Sequence, residues 1–151
     1  MRLSKSKKLL VFSSILLIFI DQLSKYIIRT SRGFYICNKG IAFGVVLPSW
    51  LILLATIAII SFIGLLILNL KFETCLPIGK VLNQFSNSKI KNLNFPLILV
   101  ISGAISNLID RLYNGCVIDF IDLKVWPVFN LADSFIFLGI LALLIQINRK
   151  N

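Results

Sequence analysis

Histidine is absent from this chain, and several chemistries go with it. Ser-His-Asp and Cys-His nucleophilic catalysis, HExxH zinc sites and histidine proton switching all need an imidazole. Acid is scarce too: five Asp and a single Glu, Glu73, stand against sixteen Lys and Arg, for a net charge of +10. The three cysteines, Cys37, Cys75 and Cys116, lack the CxxC spacing of a zinc or thioredoxin-like site. Independent, packed thiols are the expectation for them. A Cys37–Cys116 bond stays open, because both residues fall on one side of the topology below.

Surface suited to water is also in short supply. Hydrophobic residues make up 58% of the 151 residues and mean hydropathy is +0.92, too apolar for a soluble fold. A helix needs about 20 apolar residues to cross a bilayer. Four segments offer such runs: Leu9 to Ile28, Trp50 to Leu70, Leu93 to Ile109 and Phe129 to Ile147. The first resembles the start of a secretory signal peptide. No small-x-small site follows it, however, and apolar character resumes past Asp21 and Lys25, so an uncleaved first span is expected. Trp50 suits a membrane interface. Between the first two spans, Gly33, Gly40, Gly44 and Pro48 punctuate β-formers such as Phe34-Tyr35-Ile36, which predicts short strands on the outer face. The predicted architecture is a single all-α membrane domain over residues 1–151. It has four transmembrane helices (9–28, 50–70, 93–109, 129–147), a small extracytoplasmic β-sheet, and both termini in the cytoplasm.

The basic residues support that orientation. Arg2, Lys5, Lys7 and Lys8 precede the first span, Lys71, Lys80, Lys89 and Lys91 lie in a polar loop after the second, and Arg149-Lys150 follows the fourth. Positive residues at inner ends set membrane topology and meet anionic lipid headgroups. Spread in this way, they argue against nucleic acid as a partner. All five aspartates then fall at or beyond the outer face, and the inner halves of the spans carry no acid.

Asp119 and Asp133 stand fourteen positions apart, in Val117-Ile118-Asp119-Phe120-Ile121-Asp122 and Phe129-Asn130-Leu131-Ala132-Asp133. An ionisable residue at bilayer depth is costly and points to function. Two carboxyl groups placed to share a proton can activate a water against an amide carbonyl. Taken singly, Asp133 reads as a helix cap or first-turn residue; with Asn107 and Arg111 nearby, a site is the better account. Asp21 and Lys25, four apart, share a helix face and suit an ion pair that closes the helix end. Ser24 beside Lys25 is a poor nucleophile, since adjacent helical side chains diverge by about 100°. Asn107, Asp110 and Arg111 form one polar helix face that needs a partner or a polar cavity. Ser102 and Ser106 are small residues spaced for close packing. Asn38-Lys39-Gly40 is either an ordinary Asn-x-Gly turn or a substrate-binding loop, with Phe43 against lipid.

These blocks together resemble the bacterial lipoprotein signal peptidases (signal peptidase II). The resemblance rests on Asp21-Gln-x-Ser-Lys25, Asn38-x-Gly-x-Ala-Phe43, Gly103-Ala-x-x-Asn107-x-x-Asp110-Arg111, Val117-x-Asp119-Phe-Ile-Asp122 and Phe129-Asn-x-Ala-Asp133. Any one block is a weak signal, but five in family order are a strong one. The resemblance implies an aspartyl endopeptidase of the bacterial cytoplasmic membrane, its active site facing the extracytoplasmic side. It would remove the signal peptide of a diacylglyceryl-modified prolipoprotein, cutting just before the lipidated cysteine. Asp119 and Asp133 match the catalytic pair, one acting as base on water and the other as acid toward the carbonyl. Asn38, Asn107 and Arg111 match positions that hold substrate backbone or orient the site; Asp21, Lys25, Asp110 and Asn130 match supporting positions. The outer segment would be a small sheet on the membrane with a mobile lid. The implied partners are lipidated signal peptides and membrane lipids, with a monomeric enzyme and neither metal nor cofactor. The family more often has glycine at Ser102 and Ser106, and serine there would loosen the approach of a neighbouring helix.

Two other classes fit parts of the pattern. A small transporter or proton channel would also carry intramembrane acids, but these should run from face to face. A non-catalytic assembly factor would use Asp21/Lys25 and Asp110/Arg111 for packing alone.

Overall fold

In a computed structural model the described residues are 5–40, 48–68 and 94–148. Phe43, the basic stretch at 71–92, the terminal Arg2, Arg149 and Lys150, and the expected lid lie outside them. Among the described residues four helices and two short strands follow in order: α1 (Lys5–Thr30), β1 (Ile36–Asn38), α2 (Ser49–Leu68), α3 (Asn94–Asn114), β2 (Val117–Asp119) and α4 (Leu131–Asn148). Two stretches, Lys8–Thr30 and Phe95–Asn114, are long and apolar enough to cross a membrane; Trp50–Ser61 and Leu131–Gln146 are shorter apolar helices.

The polarity of α1 is inside out. Leu9, Phe12, Ile15 and Phe19 stand more than half exposed, while Asp21 and Lys25 are buried. Such a surface suits hydrocarbon, and the polar groups must then find one another inside. They find α3. Ser14 Oγ lies 2.9 Å from Ser102 Oγ, Ser106 Oγ donates to Asp21 Oδ2 at 2.7 Å, and Lys25 Nζ pairs with Asp110 at 2.8 Å. The contacts ascend together along both helices, so α1 and α3 run parallel. Ser102, Ser106 and Asp110, at i, i+4 and i+8, form the row that α3 presents to α1. The two serines, expected to loosen the packing, instead bond across it and are fully buried.

The next row of α3 faces α4. A Cβ built on Gly103 would collide with the Ala132 carbonyl oxygen, and one on Gly139 would lie 2.7 Å from the Pro96 carbonyl. These glycines let the two backbones approach, in opposite directions. α3 therefore sits centrally, packed against α1, α2 and α4.

Three features differ from expectation. α3 continues past Ile109 to Asn114, because Asp110 is satisfied inside the bundle and so need not end the helix. It stops at Gly115, whose φ of +71° and N–H bond to the Arg111 carbonyl form a left-handed cap. The β-formers after α1 make one described strand, β1, and its antiparallel partner is β2, with Ile36 opposite Asp119 and Asn38 opposite Val117. Cys37 and Cys116 are bonded to each other rather than free. A three-residue register places both on one face of the sheet, close enough to join.

Candidate active site

The chain from β2 to α4 folds back on itself. Phe129 N donates to the Ile121 carbonyl at 3.1 Å, and Ile121 N to the Phe129 carbonyl at 2.8 Å. Asp122 turns the chain by accepting Lys124 N–H at 2.8 Å, and Lys124 takes a positive φ at the tip. This closure returns Asn130 beside Asp119 despite the intervening loop. Asp122, held below the usual carboxylate range by hydrogen bonds from Lys124, belongs to the turn and not to the site.

α4 begins with a reciprocal cap. Asn130 Oδ1 accepts the Asp133 N–H at 2.9 Å, and Asp133 Oδ2 accepts the Asn130 N–H at 3.3 Å. That is capping-box geometry, so the bland reading of Asp133 is correct as far as it goes. Its other oxygen does something else: Oδ1 accepts Asn107 Nδ2 at 2.8 Å. Asn130 Nδ2 in turn donates to Asp119 Oδ1 at 2.7 Å and to Asn107 Oδ1 at 3.2 Å. A continuous path thus runs from Asp119 through Asn130 and Asn107 to Asp133. Asn38 completes the grip on Asp119, donating from Nδ2 to Oδ2 at 2.9 Å, while its Oδ1 accepts Gly40 N–H at 2.9 Å. The Asn-x-Gly turn and the contact with the acid are one arrangement. Asp119 is 2% exposed. Burial, chiefly, pushes its carboxyl up to about 6, against the opposing hydrogen bond from Asn38 and with help from the charge of Asp133.

Lys25 sets the direction of the path. Its ammonium, on a residue 2% exposed, meets Asp21 Oδ2 at 2.6 Å, Asp110 Oδ2 at 2.8 Å and Asn107 Oδ1 at 3.1 Å. A lysine can only donate, so it must face the oxygen of the Asn107 amide. The Asn107 nitrogen is thereby turned toward Asp133. Behind Lys25, Asp21 also accepts Ala132 N–H at 2.9 Å and Asp110 accepts Ile118 N–H at 3.2 Å. One ion cluster thus ties α1 to the start of α4 and to β2.

Arg111 is half-buried beside this path and reaches toward the Asn107 carbonyl at 3.4 Å and the Gly40 carbonyl at 3.5 Å. A crevice lined by Asn38, Lys39, Ile52, Leu53 and Arg111 opens next to it. Ser24 bonds the Ile20 carbonyl, away from Lys25. Residue-by-residue reading overlooked Gln22, which donates to Ser106 Oγ at 3.0 Å and Asp110 Oδ1 at 3.1 Å. Its position three before Lys25, on the same helix face, was the available signal.

Two carboxyl groups, one on β2 and one on α4, are thus joined through amides in a chain without histidine. The family model for signal peptidase II matches residues 13–149, and the chain belongs to that family, an aspartic-type peptidase family. The chain is 34% identical over 148 residues to a lipoprotein signal peptidase of Moorella thermoacetica, covering 89% of each. It is 36% identical over 151 residues to one of Syntrophomonas wolfei, again covering 89% of each. A solved structure of a bacterial membrane enzyme superposes with a TM-score of 0.74 at 22% identity, over 94% of this chain and 88% of that one.

Proposed function

We propose that this chain removes the signal peptide from diacylglyceryl-modified prolipoproteins in a bacterial cytoplasmic membrane, cutting just before the lipidated cysteine. Asp119 and Asp133 carry the reaction. The observation behind this reading is the amide path that ties the two carboxyl groups, from different elements, into one unit. With one proton shared between them, the carboxylate takes a proton from water as its oxygen attacks the scissile carbonyl carbon. The carboxyl gives its proton to the carbonyl oxygen. As the intermediate collapses, the first acid gives its proton to the departing amide nitrogen, the other carboxylate takes a proton back from a hydroxyl of the intermediate, and the C–N bond breaks. A carboxyl that titrates at about 6 is suited to hold such a proton near neutrality.

Other residues serve the pair. Asn38 and Asn130 orient Asp119, Asn107 orients Asp133, and Arg111 beside the crevice is placed to hold substrate backbone. Asp21, Lys25 and Asp110 support them from behind. Four crossings with both termini cytoplasmic fit the parallel course of α1 and α3 and the reversed course of α4. A disulfide in the sheet that bears Asp119 fits an oxidising exterior, which supports an active site on the outer face. One chain supplies every named group, so a monomer suffices, with the lipidated precursor and membrane lipid as partners.

The test is incubation of the purified protein with a diacylglyceryl-modified precursor, followed by mass measurement of the products. Asp119→Asn and Asp133→Asn should each abolish cleavage while the protein stays folded and inserted. Retained cleavage in both variants would remove the assignment.

A further inference from the structure

We infer that the Cys37–Cys116 disulfide is a positioning element for this peptidase: it pins β1 so that Asn38 keeps hold of Asp119, and opening it slows turnover. This rests on the function proposed above.

The two strands are held very differently. β2 is buried throughout, and its Ile118 N–H is fixed by Asp110. β1 is three residues long, with Ile36 and Cys37 exposed. It therefore buries little apolar surface of its own, and so short a ladder is a weak tether. The disulfide supplies what burial does not, tying Cys37 to Cys116, which is 3% exposed and follows directly on the capped end of α3. Side chains alternate along a strand. The Cys37 sulfur thus lies on the face opposite Asn38, and its partner Cys116 borders the crevice beside Arg111.

Because Cys37 is exposed, its sulfur can be reached by a small dithiol. A reductant thiolate attacks Cys37 Sγ, the S–S bond breaks, and Cys116 leaves as a thiolate that takes up a proton. The second reductant thiol then attacks the mixed disulfide and releases Cys37 as a thiol. The reductant ends as a disulfide, and the protein gains two electrons and two protons.

The readout follows from what Asn38 does. Its N–H stabilises the Asp119 carboxylate, so loosening it makes Asp119 keep its proton to higher pH. The other charges acting on Asp119 are Lys25 from α1, Arg111 from α3 and Asp133 from α4. Lys25 and Asp133 are held by the ion cluster and amide path independently of β1, while Arg111 also reaches the Gly40 carbonyl just beyond it.

The experiment compares the oxidised protein with protein reduced by dithiothreitol, cleaving a diacylglyceryl-modified precursor, with thiols counted before and after. Reduction should lower kcat roughly tenfold, as expected for loss of a hydrogen bond to a charged group. It should move the alkaline limb of the rate profile to higher pH, and reoxidation should restore both. In Asn38→Ala, reduction should have little further effect, whereas a merely structural bond would cost that variant as much again. Cys37→Ser/Cys116→Ser should mimic the reduced enzyme; where it fails to insert, reversible reduction of the folded protein serves instead. An unchanged kcat and pH profile after two thiols appear overturns the inference, as does an equal loss in Asn38→Ala. Oxidised wild type that cleaves nothing overturns the peptidase reading itself.

Discussion

Replacing Lys25 by methionine removes the charge at the centre of the buried network while keeping an unbranched stem of similar volume. Lys25 answers to three groups: Asp21 at 2.6 Å, Asp110 at 2.8 Å and the Asn107 amide oxygen at 3.1 Å. Removing one partner of a buried ion pair costs about 3–5 kcal/mol, because the other charge is left uncompensated. Here two carboxylates lose their cation, but each keeps other donors. Asp21 keeps Ser106 Oγ and Ala132 N–H; Asp110 keeps Gln22 and Ile118 N–H. The loss should therefore lie at the low end, about 3 kcal/mol, measured as reversible unfolding in mixed detergent micelles. Lys25→Met/Asp110→Asn removes one carboxylate along with the lysine and should recover part of the loss. Catalysis should suffer as well. Without the lysine, only Asn130 Nδ2, at 3.2 Å, still holds the Asn107 oxygen inward, and the amide path to Asp133 is less firmly directed. A fall in kcat of roughly tenfold or more is expected with the lipidated precursor. A single variant within about 1 kcal/mol of wild type, or a double variant no better than the single, would refute the charge argument.

Four further outcomes follow. Asn38→Ala removes a donor that favours the Asp119 carboxylate, so the alkaline limb of kcat/KM should move up in pH, read from a rate profile with the lipidated precursor. Asp119 also bears on stability: its carboxyl titrates at about 6 when folded against 3.8 ordinarily, so the folded state binds that proton more tightly. Its contribution favours folding below 3.8 and is lost as pH rises through about 6; unfolding measured across that range should lose this slope in Asp119→Asn. Gly103→Val sets a branched side chain against the Ala132 carbonyl, forcing α3 and α4 apart. It should cost about 1–3 kcal/mol or more in the same unfolding assay, with loss of cleavage. Asn130→Ala deletes the α4 cap and the bond to Asp119 together; it should cost about 1 kcal/mol for the cap and lower kcat far more than it raises KM.

Much of the frame was readable from residues in order. The apolar runs located the four described helices to within a few residues at most ends, because a bilayer-length segment leaves a local signature. The Asp21–Lys25 pair was readable for the same reason, since i, i+4 spacing brings two side chains together whatever the rest does. At α3 the local signal misled. Asp110 and Arg111 look like the end of an apolar run, but they are satisfied from α1 and the loop, and the helix runs on to Gly115. The serines at 102 and 106 misled likewise, since their bonding depends on what α1 brings opposite them.

By itself the sequence determined that apolar helices must enclose a few charged groups. Where water is absent those groups have only one another. Only the tertiary structure decided which group meets which. Asp119 and Asp133 are joined because Ile121 folds back on Phe129, because Asn38 arrives on a strand from far earlier in the chain, and because Lys25 turns one amide. Each of those contacts spans many residues and depends on a separation of a few ångströms between elements with no shared local period. Such distances are set by packing alone, when every element is in place.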